Sequence, residues 1–471
     1  MGEVGGRIAW LVFVVFLAMS LGPKDFGLYN FAFAFTLPFA TISDFGIPHL
    51  LTREISRQKE KALEYLSAGL LLIFLFSLID LSIIMTAISF FESDPQTIYA
   101  VSIAAVALII CSFITLLNSI YRAHQKMEYE ALVMFVSRTS IVIIGFFLIY
   151  LKGSLIEFIV ATLLGYWVAL ILSSYLIKVR FVPLGLRIKG SFISTILRQT
   201  ATLGIALTLL VACRQVNTVF LHFLRGDEEV GIYTAAYRLV EGLYFLSSFF
   251  IYALFPVFSE CYLSSREKTK TCYEKSFKFI LIFGRPVGVG VTLMAEEIVS
   301  LFGTKFLESA SVLKVLIWMF VLTALNGVSF YLLVAANRQK VNAGIGGIAL
   351  ILNVLLNLSL VPRWGSLGSA WAVVATEGLW VILGCLYVSQ ILHQMPWMDM
   401  VLKPILGNIV MGGFIFFFSD LNLFLVIPIA MVVYASVLKL LKSFSEEETS
   451  ALKEITRQYC EALFKARRSL L

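Results

Sequence analysis

Seven charged side chains lie inside long apolar stretches of this sequence, where they could serve an ion or a charged ligand. They are Asp80, Arg138, Arg214, Arg238, Glu241, Arg285 and Glu377. A charge at the centre of a lipid bilayer costs about 2.5–3.5 kcal/mol on insertion scales, so it turns to a partner or a water-filled cavity. Arg238 and Glu241 are three positions apart on one helix face, which favours a local structural pair. Three arginines and two carboxylates remain, and this balance predicts a cationic cavity for an anionic ligand.

The positions of the remaining charges within their stretches differ. Arg214, in "LLVACRQVNTVFLHF", and Asp80 lie near the middle of their apolar stretches. We expect each of them to line a cavity, and the alternative for each is a buried ion pair with a residue of another helix. Arg138 is close enough to one end for its guanidinium to reach the membrane surface. Arg285 precedes Pro286, which opens the helix backbone. A guanidinium can bind two phosphate oxygens at once, so a phosphate-bearing ligand is expected.

The sequence lacks the residue patterns of catalysis and of metal binding. Its six cysteines show no Cys-x-x-Cys spacing, and its four histidines are scattered along the chain. It contains no Gly-x-x-x-x-Gly-Lys-(Ser/Thr) motif for nucleotide phosphates. We therefore expect a protein that is not an enzyme and that needs neither a cofactor nor a metal.

The elements that must position these charges are apolar helices. Of the 471 residues, 59% are hydrophobic and 14% are charged, whereas soluble domains have about 25% charged residues. A helix needs roughly 20 apolar residues to cross a bilayer. The pattern predicts an all-α polytopic membrane protein with fourteen transmembrane helices. Their spans are 6–21, 28–43, 65–90, 99–120, 130–150, 156–177, 199–222, 232–256, 277–301, 312–335, 342–361, 367–391, 402–418 and 421–441.

The distribution of lysine and arginine predicts how these helices are oriented. Most of the 37 basic residues fall in the segments on one side of the membrane, and that side is expected to be the cytoplasm. Both termini then lie in the cytoplasm of a multi-pass cell-membrane protein, and the first helix is retained instead of being cleaved as a signal peptide. The formal net charge of +7 follows from this topology, so no nucleic-acid partner is expected.

Two pairs of similar segments indicate an internal duplication. "GPKDFGLYNFAF" at Gly22 and "GDEEVGIYTAAY" at Gly226 are 204 positions apart, and "KGSL" at Lys152 is echoed by "WGSL" at Trp364. Because the duplicated unit holds six helices, the halves are expected to be parallel, pseudo-symmetric repeats. The expected domains are an N-terminal lobe at 1–190, a C-terminal lobe at 191–395, two added helices at 396–442 and a cytoplasmic amphipathic tail at 443–471.

Two charged segments predict helices along the cytoplasmic face. They follow the second and eighth spans and read "DFGIPHLLTREISRQKEKALEY" and "FSECYLSSREKTKTCYEKSFK". Their basic residues could face anionic headgroups, or they could do no more than fix the topology. In the eleventh span, Asn353 and Asn357 indicate hydrogen bonds between packed helices.

Five stretches of the chain resemble the polysaccharide (Wzx-like) flippases, which transport O-antigen and other oligosaccharides. This family belongs to the MATE/MOP exporter superfamily, together with the multidrug MATE exporters and the MurJ-type lipid II flippases. The stretches are "LGPKDFGLYNFAFAF", "ISDFGIPHLLTREISR", "RQVNTVFLHFLRGDEEVGIYTAAYRL", "LFGTKFLESASVLKVLIW" and "LVPRWGSLGSAWAVVATE". They occur in the family's order over nearly the whole chain. The resemblance implies two six-helix lobes around a cationic central cavity.

The resemblance also implies a function. The family moves polyprenyl-pyrophosphate-linked oligosaccharides from the cytoplasmic to the outer leaflet, which requires alternating access. The expected partners are this glycolipid, membrane lipids and the polysaccharide polymerase and export machinery, and the transporter itself is expected to be a monomer. The residues expected to line the cavity are Arg214, Arg138, Arg285, Asp80 and Asn217, with Glu377 as a further candidate.

One match and one departure refine this expectation. Arg53 matches the loop arginine of "LLTREISR", so Arg53 and Arg57 are expected at the cytoplasmic entrance. Asn217 stands where relatives often carry an acidic residue, so coupling to a proton or sodium ion at this position is not expected.

Three other functions would fit parts of the pattern. A MurJ-type lipid II flippase would share the cationic cavity. A MATE-type drug exporter would need carboxylates in spans one, seven and ten. These spans contain no Asp or Glu, which disfavours that function. A membrane glycosyltransferase or polymerase would need large outside loops with acidic catalytic residues, and this chain has only short ones.

Overall fold

The structure, a computed structural model, describes residues 2–181, 187, 190–392, 397–418 and 423–440. All regular structure in these residues is helical, as expected. The α-helices are α1 (Gly2–Asp44), α2 (Ile47–Arg57), α3 (Ala62–Phe91), α4 (Pro95–Ala123), α5 (Met127–Tyr150), α6 (Leu155–Arg180), α7 (Gly190–Arg225), α8 (Asp227–Ser264), α9 (Arg266–Leu293), α10 (Ala295–Ser300), α11 (Ser309–Ala335), α12 (Gln339–Leu392), α13 (Trp397–Phe417) and α14 (Leu423–Leu440).

Two of these helices each contain two of the expected spans. α1 is broken at Gly22, with φ 76° and ψ 173°, and α12 is broken at Gly365, with φ 54° and ψ −132°. Residues with a Cβ atom rarely adopt these angles, so glycine lets the helix kink here. Since α2 and α10 are too short to cross a bilayer, the fourteen expected spans correspond to the other helices. Among the described residues, nine helical segments are long and apolar enough to cross a membrane.

The chain forms two compact units. Unit 1 comprises Met1–Gly242, Val299–Val312 and Leu350–Thr376, and unit 2 comprises the remainder. In unit 1, α4 packs against α1 and α6, and α1 also packs against α7. In unit 2, α13 packs against α9 and α14, and the Tyr434 hydroxyl donates to the Ile282 carbonyl oxygen over 2.9 Å. The expected lobe boundaries at residues 190 and 395 stay a prediction.

The first pair of similar segments makes one contact twice. A Cβ atom added at Gly27 would lie 1.8 Å from the carbonyl oxygen of Asp227, and one added at Gly231 would lie 1.9 Å from that of Pro23. Pro23 and Gly27 correspond to Asp227 and Gly231 in the repeat. The backbones of α1 and α8 therefore cross in contact, and each half supplies the same two atoms. We call these four residues the reciprocal crossing; its symmetry is that of a two-fold axis relating two repeats.

The second pair of similar segments also shares a local interaction. The amide of Ser154, at the start of α6, donates to the Glu157 carboxylate over 2.7 Å. The amide of Ser366, just after the break in α12, donates over 2.7 Å to Glu229 of α8. A carboxylate is thus placed at the start of both helices, where it satisfies an amide that the helix leaves free.

The two charged segments after spans two and eight fold differently. The first forms α2, whose apolar side is buried through Ile47, Leu50, Leu51 and Ile55, so the expected helix is present. The second forms no helix of its own, because α8 continues to Ser264 and α9 begins at Arg266. The expectation of a separate helix there was wrong, and the ninth span ends at Leu293, not at residue 301. The expected tail at 443–471 lies outside the described residues.

Candidate functional site

Two of the arginines expected in a cavity carry no salt bridge within the described residues. Arg214 lies on α7 with its side chain exposed, and Arg138 lies on α5 half-buried. Neither forms a hydrogen bond or ion pair with another described residue, although Arg138 is close enough to Tyr166 of α6 to interact with it electrostatically. Both guanidinium groups therefore keep their donors available for a ligand or for water, which is what an anion-binding site requires.

Arg238 and Glu241 of α8 contact each other. The Arg238 Nη1 atom lies 2.7 Å from Glu241 Oε2, and Nη2 donates to Asn30 Oδ1 of α1 over 2.9 Å. The Asn30 amide nitrogen in turn donates to the Phe26 carbonyl oxygen over 2.7 Å. Arg238 thus joins α8 to α1 beyond the reciprocal crossing, and its charge is neutralised locally.

Asp80 is fully buried, without a cationic partner among the described residues. Its Oδ2 atom accepts a hydrogen bond of 2.9 Å from the Ser43 hydroxyl of α1, and Oδ1 has no hydrogen-bond partner in the described part of the chain. The side chain is 0% exposed. Asp80 therefore contacts no open space in this structure, and neither hydrogen bond nor ion pair links it to Arg214 or Arg138 within the described residues.

Asn217 belongs to a buried network of neutral side chains. Its Oδ1 atom accepts from Asn357 of α12 over 2.8 Å. Asn357 also donates to the carbonyl oxygen of Asn353 over 2.8 Å and accepts from Ser369 over 3.2 Å. Asn353 donates to Thr376 over 3.3 Å. The oxygens and amides satisfy each other, so this network joins α7 to both halves of α12 without any net charge.

Replacing Asn357 with leucine should destabilise the protein by about 1–3 kcal/mol, because it leaves buried polar groups of Asn217 and Ser369 without their partner. Thermal unfolding in detergent measures this loss. The control is Ser359→Leu, an exposed position on the same helix, which should unfold near the wild-type temperature. Equal stability of Asn357→Leu and Ser359→Leu would contradict a structural role for the network.

The two candidate residues of unit 2 lie on α9 and α12. Arg285 is half-buried near Tyr434 of α14, with which it interacts electrostatically. The Glu377 carboxylate accepts a hydrogen bond from the Asn326 side-chain amide of α11. Glu377 therefore ties two helices of unit 2 together through a polar contact.

The two arginines expected at the entrance lie on α2. Arg53 donates to Gln199 of α7 over 2.6 Å and to Glu54 over 2.8 Å. The Arg57 Nη1 atom lies 3.6 Å from the same Glu54 carboxylate. Both arginines are more than half exposed, so they present positive charge at the end of unit 1 that carries α2.

One charged cluster was not among the residues expected from the sequence. His222 of α7 lies with Nδ1 2.7 Å from Asp227 Oδ1 and Nε2 3.3 Å from Glu92 Oε2. The nearer partner follows five positions later and was a visible signal, whereas Glu92 lies 130 positions earlier. Such a distant partner leaves no trace in a local sequence pattern.

Comparisons with known proteins agree with this helical architecture. The family model described as polysaccharide biosynthesis protein matches residues 1–262, and the one described as MatE matches residues 201–358. A probable low-salt glycan biosynthesis flippase from Haloferax volcanii is 24% identical, with 94% of each chain covered. A putative O-antigen transporter from Shigella flexneri is 22% identical over 76% of this chain and 88% of its own.

Solved structures show the same fold. The lipid II flippase MurJ in an inward closed conformation gives a TM-score of 0.77 at 16% identity, over 93% of this chain and 97% of that one. An inward-facing multidrug resistance MATE family transporter of the MOP superfamily gives 0.66 at 18% identity, over 82% and 95%. The first family model covers more than half of this chain. The chain therefore belongs to the polysaccharide biosynthesis protein family.

Proposed function

We propose that this protein is a flippase for polyprenyl-pyrophosphate-linked oligosaccharides, which it moves from the cytoplasmic to the outer leaflet of the cell membrane. Support comes from the family and from two relatives whose names refer to glycan or O-antigen transport. Both termini are placed in the cytoplasm in this proposal because of the positive-inside pattern. Transport proceeds by alternating access between lobes at 1–190 and 191–395, with helices at 396–442 and the tail at 443–471 as additions.

The observation that carries this proposal is the pair of arginines without salt bridges to described residues, Arg214 and Arg138, on helices of a membrane fold. A pyrophosphate carries negative charge on oxygens that guanidinium groups bind through paired hydrogen bonds. A drug exporter for cations would place unpaired carboxylates at such positions instead. In the proposed site Arg214 and Arg138 bind the pyrophosphate, while the polyprenyl tail stays in the lipid. Arg285 is a further candidate for the same ligand because of its charge.

The remaining candidate residues have supporting roles in the proposal. The exposed arginines of α2, Arg53 and Arg57, attract the anionic head to the cytoplasmic entrance by their charge. Asn217 holds the Arg214 segment of α7 in place through its network. Asp80 and Glu377 are buried or paired within their units, and their predicted place in the cavity requires a different conformation of the transporter.

Replacing Arg214 with alanine should slow flipping roughly 10- to 150-fold, because a hydrogen bond to a charged group contributes about 1.5–3 kcal/mol. The measurement is transbilayer movement of a labelled polyprenyl-pyrophosphate oligosaccharide in proteoliposomes. Arg214→Lys keeps the charge but loses the paired donors, so it should retain an intermediate rate. Arg363→Ala, which removes an exposed arginine two positions before the break in α12, is the control and should flip at the wild-type rate.

The same assay separates the proposal from its alternatives. Wild-type rates with Arg214→Ala would remove Arg214 from the site. Movement of lipid II but of no oligosaccharide-linked polyprenyl pyrophosphate would instead assign the protein to the MurJ-type function. Movement of a cationic drug with neither glycolipid would assign it to the MATE-type function.

A further inference from the structure

The His222 imidazole is held between two carboxylates on its two nitrogen atoms. Nδ1 lies 2.7 Å from Asp227 Oδ1, the first residue of α8. Nε2 lies 3.3 Å from Glu92 Oε2, directly after α3. The ring stacks on Phe31 of α1 with centroids 3.4 Å apart and planes 12° from parallel. The His222 side chain is 5% exposed, whereas those of Glu92 and Asp227 are 24% and 15% exposed.

The two nitrogen–oxygen distances can both be hydrogen bonds only if the three side chains hold one proton more than two ionised acids and a neutral ring. An ionised carboxylate only accepts hydrogen bonds, and a neutral imidazole has a single N–H. If both acids were ionised and the ring neutral, one of the two nitrogen–oxygen contacts would have a lone pair on each atom and no proton between them. Both contacts are hydrogen bonds only when the ring is doubly protonated or when one carboxyl group carries a proton. Either form has a single net negative charge.

We propose that Glu92, His222 and Asp227 form a proton-binding clasp that holds the ends of α3, α7 and α8 together. The bound proton is the ligand, and it reaches the site through the partly exposed carboxylates. The hydrogen bond between His222 and Glu92 is the longer one and joins residues 130 positions apart. It is therefore the one that breaks when the proton leaves. The hydrogen bond between His222 and Asp227 joins neighbouring residues of the α7–α8 turn, so it persists.

Other charged groups near the clasp do not share this proton. On α7, Arg225 is exposed, and on α8, Glu228 is exposed. On α1, the residue stacked against the ring is Phe31, which carries no charge. Asp94 at the start of α4 accepts a hydrogen bond from the Thr97 side chain, which together with the amides of Thr97 and Gln96 and the charge of Lys24 lowers the pKa of Asp94. Asp94 therefore stays ionised.

The clasp and the reciprocal crossing lie at the same end of unit 1, since Asp227 belongs to both. That end faces outward in the topology used for the proposed function, and this reading of the clasp rests on that function. Because the closed clasp binds one more proton than the open one, acidity on that side favours closure. A proton taken up there after release of the glycolipid would return the transporter to its closed outer face.

The test measures opening directly and needs no glycolipid. Cysteines introduced at the exposed positions Gln96 and Glu228, in a background without the native cysteines, carry spin labels in protein reconstituted into nanodiscs. Distances are measured from pH 6 to pH 8.5. We expect the ratio of long to short label distances to rise with pH, by at most about tenfold per pH unit, as linkage to one proton allows.

Variants identify the group that binds the proton. In Glu92→Gln the neutral amide can donate to or accept from the ring without an extra proton, so the short distance should persist at every pH. His222→Gln should lose the pH dependence as well. His124→Gln is the matched control, because His124, directly after α4, contacts only the Ile120 carbonyl oxygen through its Nδ1 atom in the described hydrogen bonds, and it should behave as the wild type.

Two results would overturn the clasp. One is a wild-type distance distribution that is the same at pH 6 and pH 8.5. The other is a pH dependence that survives unchanged in Glu92→Gln or His222→Gln. Neither result affects the flipping assay, and a failure of that assay would leave the measured clasp intact, so the two proposals fail separately.

Discussion

Alanine at Gly27 is expected to destabilise the protein by about 3 kcal/mol, at the upper end of typical overpacking costs. The added Cβ atom would lie 1.8 Å from the Asp227 carbonyl oxygen and 2.8 Å from its carbon. These are backbone atoms at the start of a helix, so they cannot move aside as the end of a flexible side chain would. The helices must separate instead, and the contact that Gly231 makes with Pro23 is lost with the first.

Thermal unfolding in detergent measures this effect. Gly231→Ala should match Gly27→Ala, and the double variant should cost less than the sum of the two because one separation relieves both clashes. Gly344→Ala is the matched control, since this helical glycine has no atom within 4 Å of an added Cβ. It should be neutral or stabilise by about 0.5–1 kcal/mol through helix propensity. A Gly27→Ala variant as stable as Gly344→Ala would contradict the crossing.

Alanine at Gly365 is expected to cost about 3–5 kcal/mol, which combines two separate penalties. The first is backbone strain of about 1–3 kcal/mol, because the break in α12 needs a positive φ. The second is displacement of the Glu229 carboxylate, which an added Cβ would approach too closely and which accepts the Ser366 amide.

Two further variants separate these penalties. Gly22→Ala imposes the strain alone, because the nearest atom to its added Cβ is 3.8 Å away, on the Lys305 side chain. Glu229→Ala removes the obstructing carboxylate, so adding Gly365→Ala in that background should cost no more than Gly22→Ala does in the wild type. If Gly365→Ala lowers the free energy of unfolding by the same amount with and without Glu229, the contact with the Glu229 carboxylate contributes nothing. Backbone strain alone then explains the loss of stability.

Hydropathy predicted the spans well because each apolar stretch must be long enough to cross a bilayer, and this length is a local property. It failed at the ninth span for a physical reason. Six of residues 266–276 are charged and interrupt the apolar pattern, yet α9 runs through them from Arg266 without a break. Hydropathy reports which side chains suit lipid, whereas helix continuity depends on the backbone, so a helix that extends beyond the membrane appears too short.

The candidate site was predictable only where partners are close in sequence. The three-residue spacing of Arg238 and Glu241 identified that contact, but Asn30, the second partner of Arg238, lies 208 positions away. Likewise, an apolar stretch identifies Asp80 as an unusual residue without indicating that Ser43 binds it. The clasp depends on three helices that meet only in the folded chain. Charge and spacing identify candidate residues, and the packing of distant helices determines which of them meet.

The reciprocal crossing has a consequence for how this chain can evolve. Every contact there is made by one half against the other, so the two copies of the duplicated segment cannot diverge independently. A larger residue at position 27 would require the backbone around residue 227 to move. That movement would also change the contact between position 231 and Pro23. Substitutions in the two segments are therefore coupled, and a change in one is tolerated only with a matching change in the other.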